Sequence, residues 1–172
     1  ISVRNNVIND TYRGIEVLLP DWFTTPVKIF NNSIRTTLPR FNDPMVGLRI
    51  AGSSQSQSGP VLVEYVNNIF QGRSGQNDIG VDIYSAFQMD SDYNLFHNVS
   101  SVYSGGSTTT GTNDLTGDPL FINDLLLLGE SSPAIDSGAS SAEYNGIPDV
   151  DINGNTRPQG AGIDRGASEK NN

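Results

Sequence analysis

Three charged residues recur at one place in a repeated phrase, and their types could support acid–base chemistry. Glu16, Arg49 and Asp82 each stand two residues after a glycine of that phrase. If the phrases lie side by side as parallel strands, neighbouring charges are stacked about 4.8 Å apart on one outer face. An Arg between two carboxylates is then a candidate catalytic base. An ordinary cross-strand ion pair explains the same pattern, and we favour it because outward positions on a half-exposed sheet are polar by default.

The glycines before these charges indicate a repeat architecture. Gly14, Gly47 and Gly80 follow one another at a constant interval of 33 residues. The phrases that they open alternate apolar and polar residues, as strands do. A period of this length is typical of solenoids, propellers and arrays. Each period holds strand-like runs and no helical run, and it is short for a four-stranded propeller blade. The sequence therefore predicts an all-β fold, a parallel β-helix of about four coils over residues 1–103.

A second phrase, an Asn followed by two apolar or small residues, recurs through the same coils. Its members are Asn6, Asn32, Asn68 and Asn94, and each of the first three directly follows another Asn. A buried Asn needs partners for two donors and an acceptor. We therefore predict that these four amides stack along an internal bend and bond to one another, instead of merely marking turns.

The composition is that of a loop-rich all-β protein. Hydrophobic residues make up 35% of the 172 residues and charged residues 17%, with 18 glycines and 9 prolines. The net charge of −9 argues against partners such as nucleic acid or an anionic membrane surface. The chain has no Cys, which excludes disulfides and thiolate metal sites. No apolar run reaches the length of about 18 residues that predicts a membrane span.

Two stretches outside the repeats also bear on the organisation of the chain. The sequence opens with Ile1 inside a repeat and without a signal peptide. A solenoid that starts within a coil has an uncovered end, which natural repeat proteins cap. We therefore expect a C-terminal fragment with further coils upstream. The Ser- and Gln-rich stretch 52–59 is expected to form a mobile surface loop.

The last part of the chain carries no repeat. We predict that residues 104–172 form a linker and a loop-rich C-terminal cap or tail packed on the coils. Residues 104–114 consist of Ser, Gly, Thr and Asn with one Asp at the end, and we expect them to form a flexible crossing. The apolar residues within 120–128 are expected to cover the C-terminal end of the β-helix, and residues 132–165 to run back along its flank.

Four ordered motifs in this region carry a resemblance to a known family. They are Asp-Pro-Leu-Phe at 118–121, Ser-Pro-Ala-Ile-Asp-Ser-Gly at 132–138, Asp-Ile-Asn-Gly-Asn-Thr-Arg-Pro at 151–158 and Gly-Ile-Asp-Arg-Gly-Ala at 162–167. Their succession resembles the C-terminal region of bacterial right-handed parallel β-helix repeat proteins of the pectate-lyase-like fold, which often carry a terminal block called a choice-of-anchor domain. The resemblance implies right-handed coils and an exported, often surface-attached protein. It departs at Arg165 and Ser168, where the family commonly has Ile and Tyr, so we expect a looser end here.

Two further groups are candidate binding residues. Asp149, Asp151 and Asn153 match the start of a calcium-binding loop, Asp-x-Asp-x-Asn-Gly, but the pattern breaks before its twelfth position. An Asx-rich turn explains the same residues, and we favour the turn while keeping calcium as the candidate cofactor. Trp22 and Phe23 lie in an insertion bounded by prolines. They are placed either to stack on sugar rings or to fold back over the apolar edge of a coil.

The sequence favours a non-catalytic fragment of an exported or cell-surface β-helix protein that binds carbohydrate or serves surface display. The paired-Asp, Gly-His-Gly and Arg-Ile-Lys motifs of pectin hydrolases are absent, and the single His, His97, is expected in a turn. One alternative is the C-terminal part of a polysaccharide lyase or a related carbohydrate-active enzyme, and another is a structural stalk or adhesin. The pectate-lyase-like fold hosts all these activities, so the fold alone does not choose among them. A polysaccharide is the expected partner.

Overall fold

The computed structural model describes residues 1–20, 22–37, 43–52, 61–84, 87–109 and 111–171, so the loop expected at 52–59 lies outside it except for its first residue. Its strands, in chain order, are β1 (Ser2–Arg4), β2 (Val7–Asn9), β3 (Arg13–Leu19), β4 (Val27–Phe30), β5 (Ser33–Arg35), β6 (Val46–Gly52), β7 (Val61–Val66), β8 (Ile69–Gln71), β9 (Ile79–Ile83), β10 (Phe87–Asp92), β11 (Leu95–His97), β12 (Ser101–Ser104), β13 (Ser107–Thr109) and β14 (Leu115–Thr116). Within the described ranges, no helix is long and apolar enough to cross a membrane.

The strands form three parallel sheets in which every third strand of the chain is a neighbour. The first sheet has the order β1-β4-β7-β10-β13, the second β14-β11-β8-β5-β2 and the third β12-β9-β6-β3. Each set of three successive strands is therefore one coil, and the coils stack in register. The predicted all-β fold, a parallel β-helix of about four coils, is confirmed.

Inward side chains of the three sheets form one continuous core. On the second sheet, Ile34, Phe70 and Phe96 lie side by side in register, and all three are buried. On the third sheet, Leu48 stacks on Val81. Burying an apolar side chain of this size contributes about 1.5–3 kcal/mol, so these stacked rows are the main apolar support of the coils.

The repeated positions are glycines because inward side chains of the second sheet leave no room there for a Cβ atom. A Cβ atom at Gly47 would lie 2.6 Å from Cγ of Phe70 and 2.7 Å from the carbonyl oxygen of Gly80. A Cβ at Gly80 would likewise lie 2.7 Å from Cδ1 of Phe96, and Gly14 is equally crowded by its own neighbours. Because non-bonded atoms do not approach this closely, the second sheet excludes any larger residue at these places on the third.

The four predicted asparagines form a continuous ladder of side-chain hydrogen bonds. Nδ2 of Asn6 donates to Oδ1 of Asn32 at 2.8 Å, Asn32 donates to Asn68 at 2.9 Å, and Asn68 donates to Asn94 at 3.1 Å. The backbone N–H of each of the first three also donates to the next Oδ1. Three of the four residues are fully buried. The predicted internal stack is confirmed, and its amides satisfy one another as buried polar groups must.

The ladder ends on a carboxylate that the sequence analysis did not identify. Asn94 donates its backbone N–H at 2.8 Å and its Nδ2–H at 3.1 Å to Oδ1 of Asp114. The other carboxylate oxygen accepts the hydroxyl of Tyr103. Burial raises the pKa of Asp114, and the donors of Tyr103 and Asn94 oppose that rise. A carboxylate accepts hydrogen bonds but has no N–H to pass on, so the chain of amides stops here.

The residue before each ladder position turns the chain between the first and second sheets. Asn5, Asn31, Asn67 and Tyr93 have left-handed backbone, with φ of 54°, 53°, 59° and 58°. Asn adopts this conformation more readily than most residues. The Asn-Asn doublet in the sequence thus has two structural roles, since its first member makes the bend and its second joins the ladder.

The first members of the doublets also hold the C-terminal tail against the coils. Asn67 donates from Nδ2 to the carbonyl of Ala139 at 2.9 Å and accepts the Ala139 N–H at 2.7 Å. Asn31 donates to the carbonyl of Gly166 at 3.3 Å, and the Gly166 N–H donates to the carbonyl of Asn67 at 2.6 Å. Asn5 makes a similar 2.6 Å bond to a tail carbonyl. The tail therefore runs along the outside of the bends.

Two apolar clusters complete this contact between the tail and the coils. One cluster brings together, from the first sheet and the tail, Phe30, Val66, Ala139, Ile147 and Ile163. The other brings together, from the second sheet and the tail, Ile69, Leu95, Leu128 and Ala134. The tail thus covers outward apolar residues of the first and second sheets.

Two parts of the C-terminal region differ from the expectation. Residues 120–128 lie on the flank of the second sheet and not over the end of the β-helix, because the outward pair Ile69 and Leu95 is covered there by Leu128. Within the expected crossing at 104–114, β13 pairs with β10, and just after it β14 pairs with β11. Short strands therefore extend the first and second sheets beyond the fourth coil.

Replacing Asn68 by Ala should destabilise the protein by about 1–3 kcal/mol. The substitution removes the acceptor of the Asn32 N–H and the bonds that Nδ2 of Asn68 donates to the carbonyls of Ile29 and Val66, all in a buried bend. Chemical denaturation measures the loss of unfolding free energy, and Asn171→Ala, at an exposed position, is the control. Equal small losses for both variants would contradict the role of the ladder.

Gly47→Ala should also destabilise the fold, by about 1–3 kcal/mol or more, because the added methyl group meets the ring of Phe70 and the backbone of Gly80. Gly117→Ala is the matched control, since a Cβ there would meet only Pro133 Cγ at 3.8 Å. Thermal unfolding of both variants checks this expectation. A Gly47 variant as stable as the control would show that the glycine interval does not arise from crowding.

Candidate functional site

The three charged residues singled out in the sequence form one row on the outer face of the third sheet. The strand register places Glu16 beside Arg49 and Arg49 beside Asp82, as predicted. Arg49 Nη1 lies 3.5 Å from Glu16 Oε1, and its Nε lies 3.8 Å from Asp82 Oδ2. Both distances are long for ion pairs and the side chains are partly exposed, so each pair contributes little to stability.

Arg49 has a closer partner that the sequence analysis did not identify. Its Nη2 donates to the hydroxyl of Tyr84 at 3.1 Å, and its guanidinium lies 5.7 Å from the centre of the Tyr84 ring. The hydrogen bond with Tyr84 is the largest cause that raises the pKa of Arg49; burial opposes this rise, and the carboxylates of Glu16 and Asp82 add smaller increases. An Arg that is charged at neutral pH and hydrogen-bonded in this way is a poor general base but a good hydrogen-bond donor.

An apolar row lies beside the charged row on the same face. Leu18 pairs with Ala51 in the register, and the N–H of Tyr84 donates to the carbonyl of Ile50, which brings Tyr84 next to Ala51. Leu18 is 69% exposed and Tyr84 46% exposed. Among the described residues, the hydrogen bonds and apolar clusters of the tail do not involve the outward side chains of this sheet. The face is therefore left open by the tail.

The two aromatic residues of the insertion have different surroundings. Trp22 is 79% exposed, whereas Phe23 is half-buried and packs against the main core. The N–H of Phe23 donates to the carbonyl of Pro20 at 3.0 Å, which closes a turn. Of the two placements considered for this pair, Phe23 folds back on the coil, and Trp22 is the side chain exposed for stacking.

The residues matched to a calcium loop form a hydrogen-bonded turn. One oxygen of Asp151 accepts the N–H groups of Asn153 and Asn155 at 2.8 and 2.9 Å, and the other accepts the N–H of Glu169 at 2.9 Å. Asp149 and Asn153 are exposed. In the described part of the chain, no three or more His, Cys, Asp or Glu residues are grouped to hold a metal ion. The geometry is that of the Asx-rich turn.

Arg157 and Glu169 of the tail are buried as structural groups, whereas Asp118 and Asp136 of the motifs are exposed. Arg157 and Glu169 form an ion pair at 2.5 Å with side chains that are 0% and 1% exposed. Arg157 also donates to the carbonyls of Gly166 and Ala167 at 2.9 and 3.0 Å. A buried charge is costly without such partners, so removing either member of the pair would be strongly destabilising.

Arg165, at the position where the family resemblance predicted a looser end, is buried and bonded to the coils. It donates to the carbonyl of Asn94 at 2.7 Å and to the hydroxyl of Ser137 at 2.9 Å. Burial lowers the pKa of Arg165 to about 10, so it stays charged at neutral pH. His97 also differs from its prediction, because it lies at the end of β11 and not in a turn.

Comparison of the chain with models of protein families, with curated proteins and with solved structures gave no match in any of the three. The candidate site is defined by its own geometry on the third sheet. It consists of the charged row and the apolar row beside it, and the exposed Trp22 lies in the segment that follows β3 in the chain.

The Asp151 turn predicts a measurable pH dependence. Burial alone would raise the pKa of Asp151, but the donated hydrogen bonds, led by that of Glu169, hold it below its ordinary value. A carboxyl with a lower pKa in the folded state stabilises the fold above its unfolded pKa of about 3.9, and this contribution is lost as the pH falls through the folded-state pKa.

We therefore expect Asp151→Asn to be less stable than the unsubstituted protein at about pH 6, with the difference shrinking towards about pH 3. Guanidinium unfolding across this range measures both free energies, and Asp149→Asn, at an exposed side chain, is the control. A difference that stays constant or grows as the pH falls would contradict this role for Asp151.

Proposed function

We propose that this chain is the non-catalytic, carbohydrate-binding part of an exported or cell-surface β-helix protein. The observation that supports this most directly is the open outer face of the third sheet. Exposed Tyr84 and Leu18 lie there beside the charged row of Glu16, Arg49 and Asp82. The other two sheets are partly covered by the tail, so this face is the natural place for an elongated ligand.

The chemistry of the face suits a sugar chain. A sugar ring presents C–H groups on its faces and hydroxyls at its edges, and aromatic rings such as Tyr84 and Trp22 stack on the C–H faces. Arg49 supplies donors, and the carboxylates of Glu16 and Asp82 supply acceptors. Because strands repeat about every 4.8 Å, these groups recur along a line and match a ligand that also repeats.

The proposed origin of the chain rests on the fold and the four C-terminal motifs. The parallel coils agree with a bacterial right-handed β-helix protein of the pectate-lyase-like fold, and the motifs agree with a choice-of-anchor block. The motif residues Asp151, Arg157 and Asp164 are all buried in the tail. Such a structural role gives a physical reason for motifs that carry no catalytic group. The resemblance to that family, in turn, implies secretion or surface attachment.

The charge of Arg49 and its hydrogen bond with Tyr84 favour binding over catalysis. In a polysaccharide lyase this residue would have to release its proton to act as the base, with Glu16 and Asp82 beside it. The pKa of Arg49 is instead raised by its hydrogen bond with Tyr84. A permanently charged Arg binds a hydroxyl or carboxylate without reacting.

Affinity electrophoresis of the protein in gels that contain neutral or acidic polysaccharides tests this proposal. We expect retardation by at least one polysaccharide, with dissociation constants raised about 2- to 10-fold by Tyr84→Ala or Trp22→Ala, the loss expected for one aromatic contact. Leu125→Ala, at an exposed position outside the third sheet, is the control and should bind normally. Trp22 is the only Trp, so its fluorescence gives an independent signal of binding.

Two outcomes would contradict the proposal. New unsaturated sugar ends, detected by ultraviolet absorbance and lost in Arg49→Ala, would identify a lyase. Migration unchanged in every polysaccharide would instead favour a structural stalk or adhesin.

A further inference from the structure

A groove lies along the carboxyl-terminal ends of the second-sheet strands. Two hollows of about 530 and 390 Å³ share Arg35 and Gln71 in their linings. The strand register places these two residues side by side, with Asn9 before them and His97 after them in the same row. Hollows of this size lie within the range of small-ligand sites.

One wall of the larger hollow is a short hairpin at residues 120–129. The N–H of Ile122 donates to the carbonyl of Leu127 at 3.0 Å, and the N–H of Gly129 donates to the carbonyl of Leu120 at 2.9 Å. Leu128 anchors the hairpin by packing against the outward residues of the second sheet. The wall is therefore held in place by backbone bonds and by a buried side chain.

The hairpin leaves apolar side chains open to the groove while its other side is packed. Leu120 and Ile122, which line the larger hollow, are 40% and 67% exposed, whereas Leu126 and Leu128 are buried. Adjacent exposed apolar residues in a concave surface are typical of binding sites.

The groove also carries polar groups that lack partners within the protein. Among the described residues, the side-chain amide of Gln71 and the carboxylate of Glu130 make no hydrogen bond or ion pair, and both line the larger hollow. Asp118 lies 3.9 Å from the ring of His97 and is half exposed. These groups supply both donors and acceptors to a ligand.

The charges that line the larger hollow favour a neutral ligand over an acidic one. Arg35 is already held by Asn9 at 3.0 Å and by Asp124 at 2.8 Å. With that cation paired, the carboxylates of Asp118 and Glu130 make the hollow acidic, which disfavours an acidic sugar. Carboxylates accept strong hydrogen bonds from hydroxyl groups, and Leu120 and Ile122 suit the C–H faces of a sugar ring.

We propose that this groove is a separate binding site for a neutral, hydroxyl-rich ligand, a short stretch of neutral polysaccharide. Gln71 and Glu130 bind its hydroxyls, and Leu120 and Ile122 contact its ring faces. This site is independent of the third-sheet face, because it is formed by other strands and by the tail. The two sites together would give the chain two attachments to glycan.

Isothermal titration of the full chain with neutral hexasaccharides of glucose and of mannose, and with hexagalacturonate, tests the site. We expect a neutral hexasaccharide to bind more tightly than the acidic one. Gln71→Ala and Glu130→Ala should each raise its dissociation constant about 3- to 10-fold, the loss expected for one hydrogen bond. Ile122→Ser tests the apolar wall, and thermal unfolding shows that each variant is folded.

The control variant Leu125→Ala is at an exposed position that lines neither hollow, so it should leave this binding unchanged. Three results would overturn the groove: no neutral hexasaccharide binds, the acidic one binds more tightly, or the three groove variants bind as the unsubstituted chain does. Failure of the third-sheet proposal is seen separately, as unchanged affinity of Trp22→Ala and Tyr84→Ala for the polysaccharide that retards the protein.

Discussion

The hydrogen-bonded bend between the first and second sheets is the constraint on which the rest of the structure depends. At each bend one Asn takes the left-handed backbone and the next joins the internal ladder. A buried amide left without its partner costs about 1–3 kcal/mol, so a coil cannot shift in register without breaking the ladder. The ladder also has a direction. Each amide donates to the next coil, and Asp114 receives the last bond.

The same bends determine where the tail lies and which surfaces stay open. Asn31 and Asn67 direct their side chains to the tail backbone, and Arg165 returns a bond to the carbonyl of Asn94. The tail therefore follows the edge shared by the first and second sheets. The outer face of the third sheet is left to present its charged and apolar rows, and the hairpin of the tail forms one wall of the groove on the second sheet.

The periodic half of the structure was predictable from the sequence, and the tail was not. Asn68 belongs to a phrase repeated once per coil, and Gly47 to one repeated every 33 residues, because parallel coils stack equivalent residues. These repeats predict the ladder and the row that holds Arg49. Asp114 has no periodic signal, since it replaces Asn at the ladder's last place. The position of Leu128 depends on outward apolar residues far away in the chain, and the Tyr84 contact with Arg49 depends on a strand end.

Native-state hydrogen exchange of Asn67→Ala tests most directly whether the bends hold the tail. The account predicts faster exchange at tail amides that do not bond to the substituted side chain, such as Ile152 and Arg165. Coil amides such as Ile69 and Leu95, which bond between coils, should keep their protection. Equally faster exchange in the tail and coil amides, or unchanged exchange in the tail, would contradict the central claim. That claim is that the first Asn of each doublet fixes the tail while the second holds the coils together.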